Sequence, residues 1–265
     1  MSLISLTTDF GIQDGYVGVM KAVIYGVKPD AKIIDISHQI APQNVLQGGL
    51  TAIGHVGYFP AESVHVIVVD PGVGTARRPM AAKIGGQYYV CPDNGLLSPM
   101  IEQGRQNGWP MTFVELDNPA YWLERISSTF HARDIFSPVG AHLANGVSLN
   151  EVGTPIEDPV MLSLPGPEIR QDRVIGEVIY IDHFGNLRTN VRQTDLQDLN
   201  QGPALLITIG NQSIDKLVNT FGDAEPGHLV ALLREDGPLG ISMVNGNAAE
   251  KLDVTVGDKV EVSRR

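Results

Sequence analysis

The stretch VHVIVVDPGVGTARRP, residues 64–79, joins a run that is apolar except for His65 to a turn rich in glycine and charge. A run without alternating polar residues is typical of a strand buried on both faces, as in parallel sheets. Asp70 follows where this strand ends. Because α/β proteins bind ligands at the carboxyl edge of the sheet, Asp70 is a candidate site residue.

The glycines of this turn raise the question of whether it binds phosphate. A P-loop needs a Lys-Ser or Lys-Thr pair after its second glycine, and none is present. A dinucleotide-binding fingerprint needs a third glycine three residues after Gly74, where this chain has Arg77. Both phosphate-binding motifs are therefore excluded, and an isolated Asp-Pro-Gly is most simply a solvated turn.

On either side of this stretch, strand-like and helix-like segments alternate. Apolar runs predict strands over residues 3–7, 32–36, 64–69 and 111–114. Apolar residues at helical spacing predict a first helix that starts after an N-cap at Asp14 and ends before Pro29. The same spacing predicts three further helices, over residues 44–56, 96–106 and 134–144. This alternation predicts an N-terminal α/β/α sandwich built on a mostly parallel sheet.

The composition changes near residue 160. The segment EDPVMLSLPGPEIRQD, residues 157–172, has three prolines and interrupts both periodicities. We therefore expect a first domain over residues 1–160, a linker over 161–172 and a second domain over 173–265. Short strand-like runs at 174–181, 204–209, 228–233 and 259–262 predict that the second domain is a smaller β-barrel.

The composition also limits the possible partners. The 265 residues carry a formal net charge of −11, and lysine and arginine are scattered, which argues against a nucleic-acid partner. No stretch reaches the roughly 20 apolar residues that a membrane span requires. A single cysteine, Cys91, fits a reducing compartment. We expect a soluble cytoplasmic protein.

Polar residues cluster in four further motifs. Each has a purely structural explanation, such as a capping histidine, an Asx turn that closes a hairpin, or a turn before a short helix. The motifs are TTDFG (7–11) with Asp9, STFHARDIF (128–136) with His131, YIDHFGNLRTN (180–190) with Asp182, Phe184 and Asn186, and VNGNAAEKL (244–252) with Asn247 and Ala248.

Taken together, these motifs make the sequence resemble the S-adenosyl-L-methionine hydroxide adenosyltransferase family, which is related to the fluorinases and chlorinases. The resemblance runs from Thr7 to about Leu252 and also includes DISHQIAP, YFP and PDNGLL, in the same order. It implies an α/β/α domain, a C-terminal β-barrel and a homotrimer that binds S-adenosyl-L-methionine (SAM) between neighbouring subunits. The implied reaction is attack of water or hydroxide on the ribose C5′ to give adenosine and L-methionine, without metal or cofactor.

The resemblance also implies roles for individual residues. Asp70, Arg77 and His131 match the catalytic set of the hydrolytic branch, whereas halogenating members carry tyrosine at the position of Asp70. The substrate-binding residues implied are Asp9 for the ribose hydroxyls, Asp182 for the methionine ammonium, and Phe184, Asn186 and the backbone of Asn247 and Ala248 for adenine.

One position and one four-residue segment near the expected site depart from the family pattern, and two other functions stay open. Ala132 replaces a usual glycine and is expected to line the nucleophile pocket, and Arg234–Gly237 replaces a usual Asn-Ser-Ser-Gly, which leaves contacts to the methionine end open. The protonation state of His131 is also open.

The alternative functions are a non-catalytic SAM or adenosine sensor and, less favoured, a metal-dependent phosphohydrolase with Asp9, Asp70, His131 and His183 as ligands.

Overall fold

The chain folds into two compact units in a computed structural model that describes residues 3–164, 166–197, 199, 205–233 and 237–265. The first unit ends at Leu164, and the second covers the rest of the chain. Each unit is built around one sheet, and the sheet of the second unit is nearly barrel-shaped. Among the described residues, no helix has the length and apolar character needed to cross a membrane.

The first unit contains a seven-stranded sheet in the order β2-β1-β3-β5-β4-β6-β7. Its strands are β1 (Leu3–Thr8), β2 (Lys32–Ser37), β3 (Val64–Val68), β4 (Pro79–Ile84), β5 (Gln87–Pro92), β6 (Met111–Glu115) and β7 (Thr154–Ile156). The neighbours β2, β1, β3 and β5 pair in parallel, whereas β4, β6 and β7 join by antiparallel pairings. The prediction of a mostly parallel sheet is therefore wrong, because half of the pairings are antiparallel.

A two-residue turn at Gly85-Gly86 explains this mixed sheet. Both glycines have positive φ, 58° and 92°, which is the backbone that a type I′ hairpin turn requires. The turn folds β5 back onto β4, and β6 then pairs with the other edge of β4. A Gly-Gly pair between two apolar runs is a hairpin signal. The sequence therefore contains a signal for β4 and β5, although neither strand was predicted.

Four helices cover the first sheet. They are α1 (Tyr16–Val27), α2 (Val45–Val56), α3 (Ser98–Asn107) and α4 (Ser137–Ala144), with short 3-10 turns at Pro119–Tyr121 and Leu149–Glu151. The Asn44 side chain caps α2 by accepting a hydrogen bond from Gln47 N at 2.9 Å. The cap predicted at Asp14 is wrong, because α1 begins after Gly15 and has no side-chain cap.

Strand β3 is buried on both faces. Val64, Val66 and Val68 belong to one apolar cluster, which also contains residues of α1 and α4. Ile67 lies in a second cluster with residues of α2 and α3. This largely apolar run therefore forms the centre of the first unit and fixes the position of the Asp70 turn.

The second unit is almost entirely antiparallel and has the strand order β12-β11-β16-β9-β10-β15-β14-β13, with β8 paired to β9. Its elements are β8 (Glu168–Ile169), β9 (Arg173–Ile181), β10 (Leu187–Arg192), β11 (Leu205–Ile209), β12 (Gln212–Ile214), β13 (Leu217–Val218), β14 (Leu229–Leu232), β15 (Pro238–Met243), α5 (Ala248–Leu252) and β16 (Lys259–Arg264), with 3-10 turns at Gln193–Leu196 and Phe221–Asp223. Residue 204, predicted to start a strand, lies outside the described residues. The β9–β10 hairpin carries the polar turn at residues 182–186.

Candidate active site

Asp70 and Arg77 form a two-pronged ion pair just beyond the end of β3. Arg77 Nε donates to Asp70 Oδ1 at 3.1 Å, and Arg77 Nη2 donates to Oδ2 at 2.5 Å. The two side chains are only 7% and 6% exposed, so the charges compensate each other out of contact with bulk water. This geometry fixes the plane of the carboxylate as well as its position.

His131 joins this pair through the same guanidinium. Its Nδ1 lies 3.2 Å from Arg77 Nη2. Because a guanidinium can only donate, Nδ1 must be the acceptor, and a neutral ring then carries its proton on Nε2. Burial, and then the positive charge of Arg77, lowers the pKa of His131. The structure thus brings the three predicted catalytic residues together and favours a neutral imidazole.

A π-helical segment, Ala132–Phe136, follows His131 and leads into α4. Ser137 N bonds to Ala132 O, five residues earlier, in place of the α-helical partner. Pro138 has no N–H for the carbonyl of Asp134, and that carbonyl instead accepts from Leu123 N at 2.9 Å. The proline therefore explains a widened turn directly after His131, of the kind often found at functional sites.

The widened turn also supports Arg77 and the loop before His131. The ring of Phe136 is fully buried, and its centroid lies 5.4 Å from Arg77 Cζ, within cation–π range. The Asp134 carboxylate is fully buried and accepts from Ser127 N at 2.7 Å. Ala132 is 3% exposed and packs in the apolar core. Sequence reasoning missed these supporting contacts of Phe136 and Asp134. The available signal was Pro138, which explains the widened turn that contains both residues.

The glycine turn after Asp70 has a structural purpose that is unrelated to phosphate. Gly74 has a φ of 77°, and a Cβ atom there would lie 2.2 Å from Ser128 O. Only glycine permits this backbone approach. The turn that carries Asp70 and Arg77 is thereby packed against the loop that leads to His131.

Asp9 lies at the same sheet edge. Strands β1 and β3 are parallel, and Thr8 pairs with Val68, so Asp9 emerges beside the end of β3. Its Oδ2 accepts a hydrogen bond from Gln43 N at 2.8 Å. In the described part of the first unit, no hydrogen bond or ion pair joins Asp9 to the Asp70 cluster.

In the second unit, Asp182 organises the turn between β9 and β10. Its Oδ1 accepts from Phe184 N and Asn186 N, both at 2.9 Å, and its Oδ2 accepts from Asn186 Nδ2 at 2.8 Å. This is the Asx turn that the sequence allowed. Phe184 is 71% exposed at the tip of the turn.

The remaining predicted residues pack against this turn. Asn247 caps α5 by accepting from Glu250 N at 3.0 Å, and Ala248 is fully buried. Gly185 O accepts from Ala249 N at 3.0 Å. The structure therefore brings together all five predicted residues of the second unit. Arg234, Glu235 and Asp236, from the loop that departs from the family pattern, lie outside the described residues.

The proposed metal ligands do not form a metal site in the described parts of the chain. No group of three or more His, Cys, Asp and Glu side chains there has an arrangement that could hold a metal ion. Both oxygens of Asp70, moreover, accept hydrogen bonds from Arg77. The arrangement does not favour a metal-dependent phosphohydrolase.

Comparison with known families and proteins gives matches over nearly the whole chain. Residues 4–153 match the family described as SAM hydroxide adenosyltransferase N-terminal domain, and residues 176–261 match its C-terminal domain. A protein of Salinispora arenicola named (R)-S-adenosyl-L-methionine hydrolase is 38% identical over 98% of this chain and 97% of its own length. One of the same name from Methanocaldococcus jannaschii is 33% identical over 99% and 96%.

A fluorinase of Nocardia brasiliensis is also similar, with 30% identity over 98% of this chain and 96% of its own. Among solved structures, an uncharacterized conserved protein from Thermotoga maritima superposes with a TM-score of 0.91 at 35% identity, covering 99% of this chain and 100% of that one.

Proposed function

We propose that this chain, which belongs to the SAM hydroxide adenosyltransferase family, hydrolyses SAM to adenosine and L-methionine. The observation that carries the proposal is the guanidinium of Arg77, which joins the nearly buried Asp70 carboxylate and the half-buried His131 imidazole in one cluster. This cluster supplies hydrogen-bond acceptors and a donor of the kind needed to orient a single water molecule.

The reaction requires little more than a well-placed nucleophile. The water oxygen forms a bond to C5′ while the C5′–S bond breaks. The electron pair of the C5′–S bond passes to sulfur and gives a neutral thioether. One of the two protons of the water is lost to solvent, and the other stays on the new 5′-hydroxyl. Because the leaving group is neutral, no general acid is required, and catalysis rests on positioning and on stabilising charge at the water oxygen.

Each member of the cluster has a distinct task in this proposal. Asp70 accepts a hydrogen bond from the water, using lone pairs that Arg77 leaves free, and aims the oxygen at C5′. His131 donates from Nε2 to the same oxygen and stabilises its hydroxide character as the bond forms. Arg77 fixes the geometry of both and supplies positive charge nearby.

We propose that the remaining residues hold the substrate. Asp9 takes the ribose hydroxyls, and Asp182 takes the methionine ammonium, since a carboxylate that accepts three hydrogen bonds still has capacity for a fourth. Phe184 and Asn186, with the backbone of Asn247 and Ala248, contact the adenine. The large exposed fraction of the Phe184 ring supports a ligand or protein contact there.

We also propose a cytoplasmic, metal-independent homotrimer in which two copies contribute to each site. Support comes from exposed apolar side chains on α1 and just before it, since Ile12, Tyr16, Val19 and Tyr25 are between 41% and 76% exposed. Sedimentation or light scattering at working concentrations would then give a mass near three times 28.6 kDa.

Chromatography of purified protein incubated with SAM tests the proposed reaction. In halide-free buffer we expect adenosine and methionine in equal amounts, with no change on adding chloride or a chelator. Asp70→Asn serves as the matched inactive variant. Product formation that stops on chelation would indicate a metalloenzyme. Bound SAM with no product above the buffer rate would indicate a sensor.

A further inference from the structure

Arg188 is a half-buried cation that pairs with none of the acidic side chains that the structure describes. It lies on β10, where Tyr180 of β9 and Gly240 of β15 are its cross-strand neighbours. In the described parts of the chain, no Asp or Glu pairs with it, and its Nε is buried without an acceptor. Burial, together with the positive charge of Arg192, lowers the pKa of Arg188. In a chain of net charge −11, the lack of a counter-ion among the described residues is unexpected.

Arg188 and Asp182 lie on the same face of the β9–β10 hairpin. Leu187 points into the core, so Arg188 points to the other face. Asp182 lies two residues beyond Tyr180, and its contact with the Asn186 side chain places it on that face as well. Two residues along a strand correspond to about 7 Å. An acid and a base are thus held apart on one surface without pairing with each other.

We propose that Arg188, assisted by the Tyr180 hydroxyl, binds the α-carboxylate of the methionine half of SAM. An amino acid carries its ammonium and its carboxylate on a single carbon. With a hydrogen bond of about 2.8 Å at each end, it spans the separation between Asp182 and Arg188. The planar fork of arginine is suited to a carboxylate, and Gly240 leaves the space beside it free of a side chain.

This assignment rests on the proposed function, because it takes Asp182 as the ammonium site. Because the Arg234–Gly237 loop departs from the family pattern, the sequence leaves the contacts to the methionine end open. The assignment of Arg188 supplies one of these contacts, the one to the carboxylate. Arg188 is therefore a residue that determines specificity for the carboxylate of the substrate, and it has no direct part in bond breaking.

The test compares SAM with decarboxylated SAM, which lacks only the carboxylate, in wild type, Arg188→Met and Arg188→Lys. We expect Arg188→Met to raise KM for SAM at least about tenfold, with kcat little changed and the decarboxylated analogue unaffected. Arg188→Lys should recover part of the loss. Arg192→Met, which removes a charge from the same strand farther from the turn, is the matched control and should leave the preference intact.

Equal losses for both compounds, or no loss for SAM, would overturn the assignment while leaving SAM hydrolysis standing. If the wild type releases no adenosine, the proposed reaction is wrong. In that case, the Kd values of SAM and decarboxylated SAM, measured by calorimetry, allow the same comparison without turnover. A wild type that binds both equally, or neither, would also overturn the carboxylate site.

Discussion

Lowering the pH should destabilise the first unit through one buried histidine in β3. His65 is fully buried, with Nδ1 2.6 Å from Ser5 Oγ and its ring between those of Phe59 and Tyr89, each with its centroid 5.1 Å away. Burial lowers the pKa of His65 to about 4, against a usual value of 6.5. Because the folded state resists protonation, the unfolded state takes up the proton first as the pH falls.

The size of the effect follows from these two pKa values. Stability is unaffected by His65 above pH 7 and falls between pH 6.5 and pH 4, since only the unfolded chain binds a proton there. Each tenfold difference in proton affinity between the two states corresponds to about 1.36 kcal/mol. The free energy of unfolding should therefore drop by roughly 2 kcal/mol between pH 7 and pH 5 and by about 3 kcal/mol at pH 4.

Urea denaturation at a series of pH values measures this loss. Both tryptophans, Trp109 and Trp122, lie in the first unit, so their fluorescence reports its unfolding. His65→Asn should be less stable at pH 7 but should lack this part of the pH dependence. His55→Gln, an exposed histidine of the same unit, is the control. If His65→Asn loses stability with pH as steeply as the wild type, the buried ring is not the cause.

Three further predictions concern the site. Asp70→Asn should lower kcat by about 10²–10⁴-fold with SAM affinity largely kept, after thermal melting confirms that it folds; unchanged turnover would remove Asp70 from the chemistry. Asp182→Asn keeps the acceptor of the turn but loses its charge, so SAM should bind more weakly while adenosine affinity stays the same; equal losses would contradict the ammonium site. Gly74→Ala should cost about 1–3 kcal/mol and reduce kcat, because its Cβ would meet Ser128 O. Gly86→Ala, with positive φ and open space, is the control, and equal kcat losses in both would mean that the contact with Ser128 is not needed.

The sequence predicted those parts of the fold that depend on long periodic patterns. The apolar run of β3 and the helical spacing of α1 and α2 each extend over enough residues to identify the element. The pairing of β4 with β5 was missed because its antiparallel direction is set by the Gly85-Gly86 turn and not by the apolar character of the two strands. Parallel or antiparallel pairing is a property of the connections, which apolar runs do not reveal.

The candidate site was predictable as a set of residues, while its internal geometry was not. Asp70 and His131 were identifiable because polar residues at the end of a strand and the start of a helix stand out against the pattern. The sharing of Arg77 between them depends on distances that no spacing encodes. The π-helical turn depends on a missing N–H at Pro138, which a count of apolar residues does not register.

The shared guanidinium also limits how such a site can change during evolution. Replacing Asp70 alone would leave Arg77 as a nearly buried charge without its counter-ion, and breaking a buried pair costs about 3–5 kcal/mol. A lineage that exchanges water for another nucleophile by altering Asp70 must therefore alter Arg77 as well, or bring another acid to it. Positions 70 and 77 should accordingly covary among relatives, and single steps between the chemistries should be rare.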